Sequence, residues 1–232
     1  MGIPSSLVVP DRDDPRVVEV ARAAFDELHA ADAHFNLRNP DSEVSRYARG
    51  ELFDPSPQLR EVLAIADAAR HLSGGAFEIE LPGSGLDTDG VVKGWAAQRA
   101  ADVLRAGGVT SFCLNVGGDV VTGGRPGPGR VWRVGVCSPD DPTQLTAVVE
   151  LTDGAVATSG TYERGLHVRD GRTGLPAVGL RSATVVAHDL MTADVLATAV
   201  LAMGPDGIEW ARGLGVEVVF GVADSRATIG TF

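Results

Sequence analysis

The chain has 232 residues, a formal net charge of −11, 44% hydrophobic and 22% charged residues. That length can bury one sizeable core without covalent staples. The negative charge excludes general nucleic-acid binding, which draws its affinity from cations on the phosphate backbone.

An acidic protein that binds a diphosphate must neutralise it locally, with a metal, a lysine or backbone N–H groups. Lys93 is the single lysine of the chain, so its placement is informative. Aromatics make up 5%, and the core must be mostly Val, Ala and Leu.

Pro15–Phe35 is expected to be a helix: Pro15 suits a first turn, and Val17, Val20, Ala21, Ala24, Phe25 and Leu28 recur at helical spacing. Asn39–Ser42 reads as a turn. Ser56 is a good N-cap before Pro57, and a second helix runs to about Leu72, stopped by Ser73, Gly74 and Gly75. Phe77–Leu81 reads as a short strand and Gly83–Gly90 as a loop. A third helix is expected from about Val92 to Ala106, with Lys93 in its first turn. Strands follow at Phe112–Val116, Val131–Val136, Ala147–Leu151, Ala155–Ser159 and Ala183–Ala187. Met191–Met203 and Asp206–Leu214 read as helices, and Val216–Val222 and Ala227–Phe232 as closing strands. Helices early and strands late point to α+β with an antiparallel sheet, in one domain over residues 1–232.

Cys113 and Cys137 belong to no CxxC pair and read as buried free thiols. Met1–Asp14 lacks the apolar core and basic start of a secretory signal. No apolar run approaches the roughly 20 residues needed to span a bilayer. The expectation is a cytoplasmic protein with no membrane insertion.

Candidate chemistry gathers in a few segments. In LDTDGVVKG (Leu86–Gly94), Asp87, Asp89 and Gly90 precede the third helix. A helix start attracts anions, and a lysine opposing its dipole needs a partner, either a phosphate or a carboxylate. On spacing alone the segment also reads as a solvated loop in which Asp89 caps the helix. NVGGD (Asn115–Asp119) pairs glycines after a strand, either for close approach to a ligand or for a tight turn. ATSGTYERGLH (Ala157–His167) clusters Thr158, Ser159 and Thr161 around Gly160 ahead of His167, which is a general base or a structural histidine. In TADVLAT (Thr192–Thr198), Asp194 and Thr198 are four residues apart on one helix face. A carboxylate and a hydroxyl are hard ligands suited to Mg²⁺, which also keeps waters and substrate phosphates; the alternative is that Asp194 caps or solvates the helix and Thr198 packs.

These segments, in order, resemble the FAD:protein FMN transferase (ApbE) family. PDSEVSRY (Pro40–Tyr47), GGAFEI (Gly74–Ile79), LDTDGVVKGWA, NVGGDVVTGG, ATSGTYERG, HVRDGRTGLPA and TADVLATAVLAMG are each similar to a family block, over most of the chain. The resemblance implies an ApbE-like α+β fold, an antiparallel sheet core with flanking helices. It also implies a magnesium-dependent enzyme that uses FAD as substrate and attaches FMN to a Thr or Ser hydroxyl of an acceptor flavoprotein, releasing AMP. It assigns His167 as catalytic base. Asp194, Thr198 and the Gly90 backbone carbonyl become metal ligands. Met1, Phe77, Glu78, Asp87, Lys93, Ser159, Gly160 and Arg169 become FAD-binding positions, Arg169 and Met1 through their backbone.

The chain departs from the family pattern on the side expected to hold the flavin ring. Only Glu80–Gly85 stand between the GGAFEI and LDTDG blocks, where the family has several dozen residues. Ala48 replaces a usual asparagine, Glu78 and Glu80 replace Asp and Thr, and Arg38 stands near a usual aromatic. Two other readings follow from this: an FAD pyrophosphatase giving FMN and AMP, or a noncatalytic FAD-binding protein.

Overall fold

The computed structural model describes residues 2–10, 13–81, 85–161, 168–216, 218–223 and 228–231. Its elements are β1 (Ser5–Val8), α1 (Pro15–Phe35), α2 (Glu43–Ala48), α3 (Pro57–Leu72), β2 (Glu80–Leu81), β3 (Gly85–Leu86), α4 (Asp89–Ala106), β4 (Phe112–Val116), β5 (Asp119–Gly123), β6 (Trp132–Cys137), β7 (Leu145–Leu151), β8 (Gly154–Gly160), β9 (Leu180–Ala187), α5 (Leu190–Met203), α6 (Pro205–Gly213), β10 (Val218–Ala223) and β11 (Thr228–Thr231).

A seven-stranded sheet runs in the order β1-β4-β5-β8-β9-β10-β11. Every pairing in it is antiparallel. The α+β expectation therefore holds.

The sheet is covered on both sides. α5 packs on β8 and β9, and α4 packs on α5 and α1, making a helical layer on one face. The β6–β7 hairpin covers part of the other face, where Val134, Val136 and Leu151 meet Val120, Val156, Val186 and Phe220. Alternation sorts these strands: Val121, Ala155, Ala157 and Val185 belong to the helical side, while their neighbours belong to the hairpin side. That is why β5 and β8 are buried along nearly their whole length rather than at alternate residues.

α5 is buried almost all round and α4 over half its length, and both are lined with small residues, including Gly94, Ala97, Ala100, Ala101, Ala193 and Ala197. Small side chains let the two helix backbones approach closely, and this contact positions the site.

Local chemistry explains the element ends. Ser56 Oγ accepts the Leu59 N–H and Pro57 opens α3. Asp189 N-caps α5 by accepting the Thr192 N–H at 2.8 Å. The helix α2, expected only as the turn before it, starts at Ser42, whose hydroxyl accepts the Ser45 N–H. The expected strand at Phe77–Leu81 shrinks to Glu80–Leu81. Ser73 Oγ takes the Phe77 N–H, and Glu78 Oε1 takes the N–H groups of Ile79 and Glu80, so side chains replace the ladder there. Of the two free thiols, Cys113 is half-buried and Cys137 exposed, because residue 137 faces outward from the hairpin.

Candidate functional site

The third helix begins at Asp89, three residues before the expected Val92, so Lys93 lies in its second turn. The Thr88 carbonyl accepts the N–H groups of both Val91 and Val92, which draws Asp89 and Gly90 into the helix. Asp89 does not cap it. Asp87 Oδ1 accepts the Asp89 N–H at 3.0 Å, and the Asp87 N–H donates to the Ile79 carbonyl at 2.7 Å. The acidic loop is thereby tied to the Phe77–Ile79 segment across from it.

Between these segments lies a cleft of about 340 Å³, within the usual range of small-molecule sites. Phe77, Glu78, Asp87, Gly90, Lys93, Ser159, Gly160, Arg169, Asp194 and Thr198 all line it. These are ten of the twelve positions expected from the sequence. The other two, His167 and Met1, lie outside the described residues.

Asp194 is only 1% exposed. Its Oδ2 accepts the N–H of Gly94 at 2.8 Å, the donor that an α-helix otherwise directs to the carbonyl of residue 90. Its Oδ1 lies 3.4 Å from Lys93 Nζ. Helix capping falls to Asp189, so the alternative role for Asp194 is corrected. One turn on, Thr198 Oγ1 is 3.0 Å from Ser159 Oγ, joining α5 to the end of β8. A side chain at Gly90 would meet the Phe77 ring at 3.4 Å and the Thr198 methyl at 3.5 Å, so Gly90 sits directly beside Thr198.

Lys93 is paired more closely with a residue that the sequence reading left without a role. Asp119, also 1% exposed, holds Lys93 Nζ at 2.7 Å through Oδ2. Its Oδ1 accepts the Thr158 N–H at 3.0 Å. The signal was present in NVGGD, but the segment read as glycine-mediated approach or a turn. Ile3 was missed as well: it lines the cleft and packs against Gly117.

Burial pushes the Asp194 carboxyl up to about 7; the Lys93 ammonium opposes the rise and the nearby Asp119 carboxylate reinforces it. The pocket sets two buried carboxylates, Asp119 and Asp194, against the one ammonium of Lys93. Its oxygens, from a buried carboxylate, a hydroxyl one turn away and the neighbouring backbone, are the donor set of a hard divalent cation. Among the described residues no group of three or more His, Cys, Asp or Glu side chains forms a metal cage. Such a cation would therefore need oxygens from its ligand, as Mg²⁺ usually does.

The remaining positions form the walls. Glu78 has turned one carboxylate oxygen onto its own backbone, with Arg70 Nε 4.0 Å from the other. Arg169 is exposed, bridges to Pro176, and donates to the Gly174 carbonyl at 2.9 Å. No helix among the described residues is long and apolar enough to cross a membrane.

A family profile described as the ApbE family matches residues 1–82 and 79–220. The chain belongs to the ApbE family. An FAD:protein FMN transferase of Vibrio cholerae is 30% identical over 171 residues, covering 68% of this chain and 51% of that protein. One of Escherichia coli K12 is 32% identical over 137 residues, covering 55% of this chain and 39% of that one. The chain thus spans about half the length of these curated relatives or less. Among solved structures, the flavin transferase ApbE of V. cholerae aligns with a TM-score of 0.80 at 22% identity, over 100% of this chain and 94% of that one. The ApbE protein of Thermotoga maritima aligns with a TM-score of 0.82 at 21% identity, over 97% and 92%. The structural likenesses establish an ApbE-family fold.

Proposed function

We propose that this chain is a Mg²⁺-dependent FAD:protein FMN transferase that moves FMN from FAD to a Thr or Ser hydroxyl of an acceptor protein and releases AMP. The observation that carries this reading is the convergence of Asp194, Thr198 and Gly90 on one cleft with Lys93 and Ser159. It is supported by the relatives that bear the transferase name.

In this reading Asp194, Thr198 and the Gly90 carbonyl hold Mg²⁺, which neutralises charge on the FAD diphosphate and orients it. Lys93 attracts the phosphate oxygens with a second positive charge. The Phe77–Ile79 segment and Arg169 flank the nucleotide. His167 takes the proton of the acceptor hydroxyl. The acceptor oxygen then bonds to the phosphorus of the FMN half, and the bond from that phosphorus to the bridging oxygen breaks. AMP leaves with the electron pair. For a protein of charge −11, this local supply of cations is what makes a dianionic substrate tolerable.

The test is mass spectrometry of a candidate acceptor incubated with the protein, FAD and Mg²⁺. A covalent FMN adduct that is lost in His167→Ala supports the reading. Stoichiometric AMP release without acceptor would indicate a pyrophosphatase instead. Intact FAD that nonetheless binds would indicate a noncatalytic flavin carrier.

A further inference from the structure

Asp119 lies behind Lys93 rather than on the cleft wall, and it contacts two elements at once. It opens β5, and its side chain shares the face of Val121, which looks onto the helices. The β5–β8 ladder pairs Val120–Thr122 with Gly154–Val156. Beyond that ladder, Asp119 Oδ1 takes the Thr158 N–H in place of a strand partner. Oδ2, meanwhile, reaches α4 and the Lys93 ammonium, at 2.7 Å.

A neutral acceptor would satisfy the Thr158 amide equally well. Burying a charged carboxylate is expensive, and it is tolerated only where its charge is matched. The part of Asp119 that requires a charge is therefore the part facing Lys93. The lysine also sits nearer to Asp119 than to Asp194, at 2.7 against 3.4 Å. With Asp119 neutral, the ammonium would have Asp194 as its nearer carboxylate and would move onto it.

We propose that Asp119 is a positioning residue of the cleft: it anchors the Lys93 ammonium on the β5 side, so that the lysine stays beside the anion-binding space while the Asp194 carboxylate stays open to a cation. The inference rests on the proposed FAD site for its ligand, not for the anchoring itself.

Asp119→Asn separates the roles, because the amide oxygen still accepts the Thr158 N–H while the ammonium loses its nearer carboxylate. Lys93 is the single lysine, so protein labelled with ¹³C-lysine gives one side-chain Cε–Hε cross-peak. The expected result is a larger displacement of that peak in Asp119→Asn than in Asp194→Asn, with slow hydrogen exchange at Thr158 retained. Asp119→Ser, smaller but still an acceptor, serves if the Asn side chain does not fit, with the same order expected.

In a ligand arm, FAD with Mg²⁺ is titrated into Asp119→Asn, Lys93→Met and the double variant. Each single change is expected to weaken binding roughly tenfold or more, the scale of one charge-assisted hydrogen bond. The double variant is expected to be no weaker than Lys93→Met, since Asp119 acts through the lysine. An unmoved cross-peak, a larger displacement from Asp194→Asn, or losses that add in the double variant would each overturn the proposal. If the wild type binds no FAD, the transferase reading falls, and the cross-peak still decides the role of Asp119.

Discussion

Gly94 and Asp194 are in contact where α4 crosses α5: the Gly94 N–H donates to Asp194 Oδ2, and a Cβ at residue 94 would sit 2.7 Å from the Asp194 Cβ and 2.9 Å from the Leu190 carbonyl. The close approach of two helices and the aim of the acidic side chain are one packing event. Gly94→Ala must push the helices apart or turn Asp194. Overpacking of this kind costs about 1–3 kcal/mol, offset by up to about 1 kcal/mol of helix propensity. Thermal unfolding should show a lowered midpoint, and Mg²⁺-dependent FAD binding should weaken with it. Wild-type values for both would mean that the contact does not aim the carboxylate.

Burial raises the folded-state pKa of Asp194 to about 7, above its unfolded value, with Lys93 opposing and Asp119 adding to the rise. Between the two values the folded protein holds a proton that the unfolded chain has released, so this group makes stability fall as pH rises from about 4 to about 7, with no further change above that. In metal-free buffer, Asp194→Asn should therefore match wild type near pH 4 and exceed it in denaturant midpoint at pH 8. A variant that loses stability most at pH 8 would contradict the assignment.

Thr198→Val keeps the shape of the side chain and removes only the hydroxyl that meets Ser159 at 3.0 Å. The Ser159 hydroxyl then loses that partner, at a cost of about 1–3 kcal/mol. The fold should persist by circular dichroism while the Mg²⁺ concentration needed for half-maximal FAD binding rises. An unchanged Mg²⁺ requirement would remove Thr198 from the ligand set.

Much of this architecture was legible because its signals are local. α1 and α3 announce themselves by helical periodicity and by Pro15 and the pair Ser56–Pro57 at their starts, and α5 by its run of small residues. The ten cleft residues came together because they lie in compact segments: Asp194 and Thr198 one turn apart in α5, the others at or beside element ends. β1 and β5 were not legible. β1 is four residues long and mostly exposed, and β5 follows two positive-φ glycines, Gly117 and Gly118, that read as the end of a strand. The Gly117–Gly118 turn joins β5 to β4 as a hairpin, whereas β1 and the far edge of β5 are set by long-range pairing, to β4 and β8. Asp119 was missed for the same reason. Its partners are Lys93 and Thr158, 26 and 39 residues away, and no periodicity connects them.

Glu43 offers a pH test away from the cleft. Its carboxylate accepts the Ser56 N–H and Oγ, both at 2.6 Å, and faces His34 at 3.3 Å, linking α2 to the start of α3. Burial raises its pKa, but the Ser56 hydrogen bonds and His34 outweigh this, and the net shift is downward. The contribution is then fully present above the unfolded value and lost as pH falls through the folded one. Glu43→Gln should cost about 1–3 kcal/mol at pH 7, the scale of hydrogen bonds to a charged group, and progressively less below pH 4. A pH-independent cost would show that charge plays no part.

The central claim is that one cleft binds the FAD diphosphate through a divalent ion held by Asp194 and Thr198 beside Lys93. Titration of FAD into the protein, with and without Mg²⁺, for wild type and Asp194→Ala, tests it most directly. Binding should depend on Mg²⁺ in the wild type and lose that dependence in the variant. FAD binding that ignores both the metal and the substitution would contradict it.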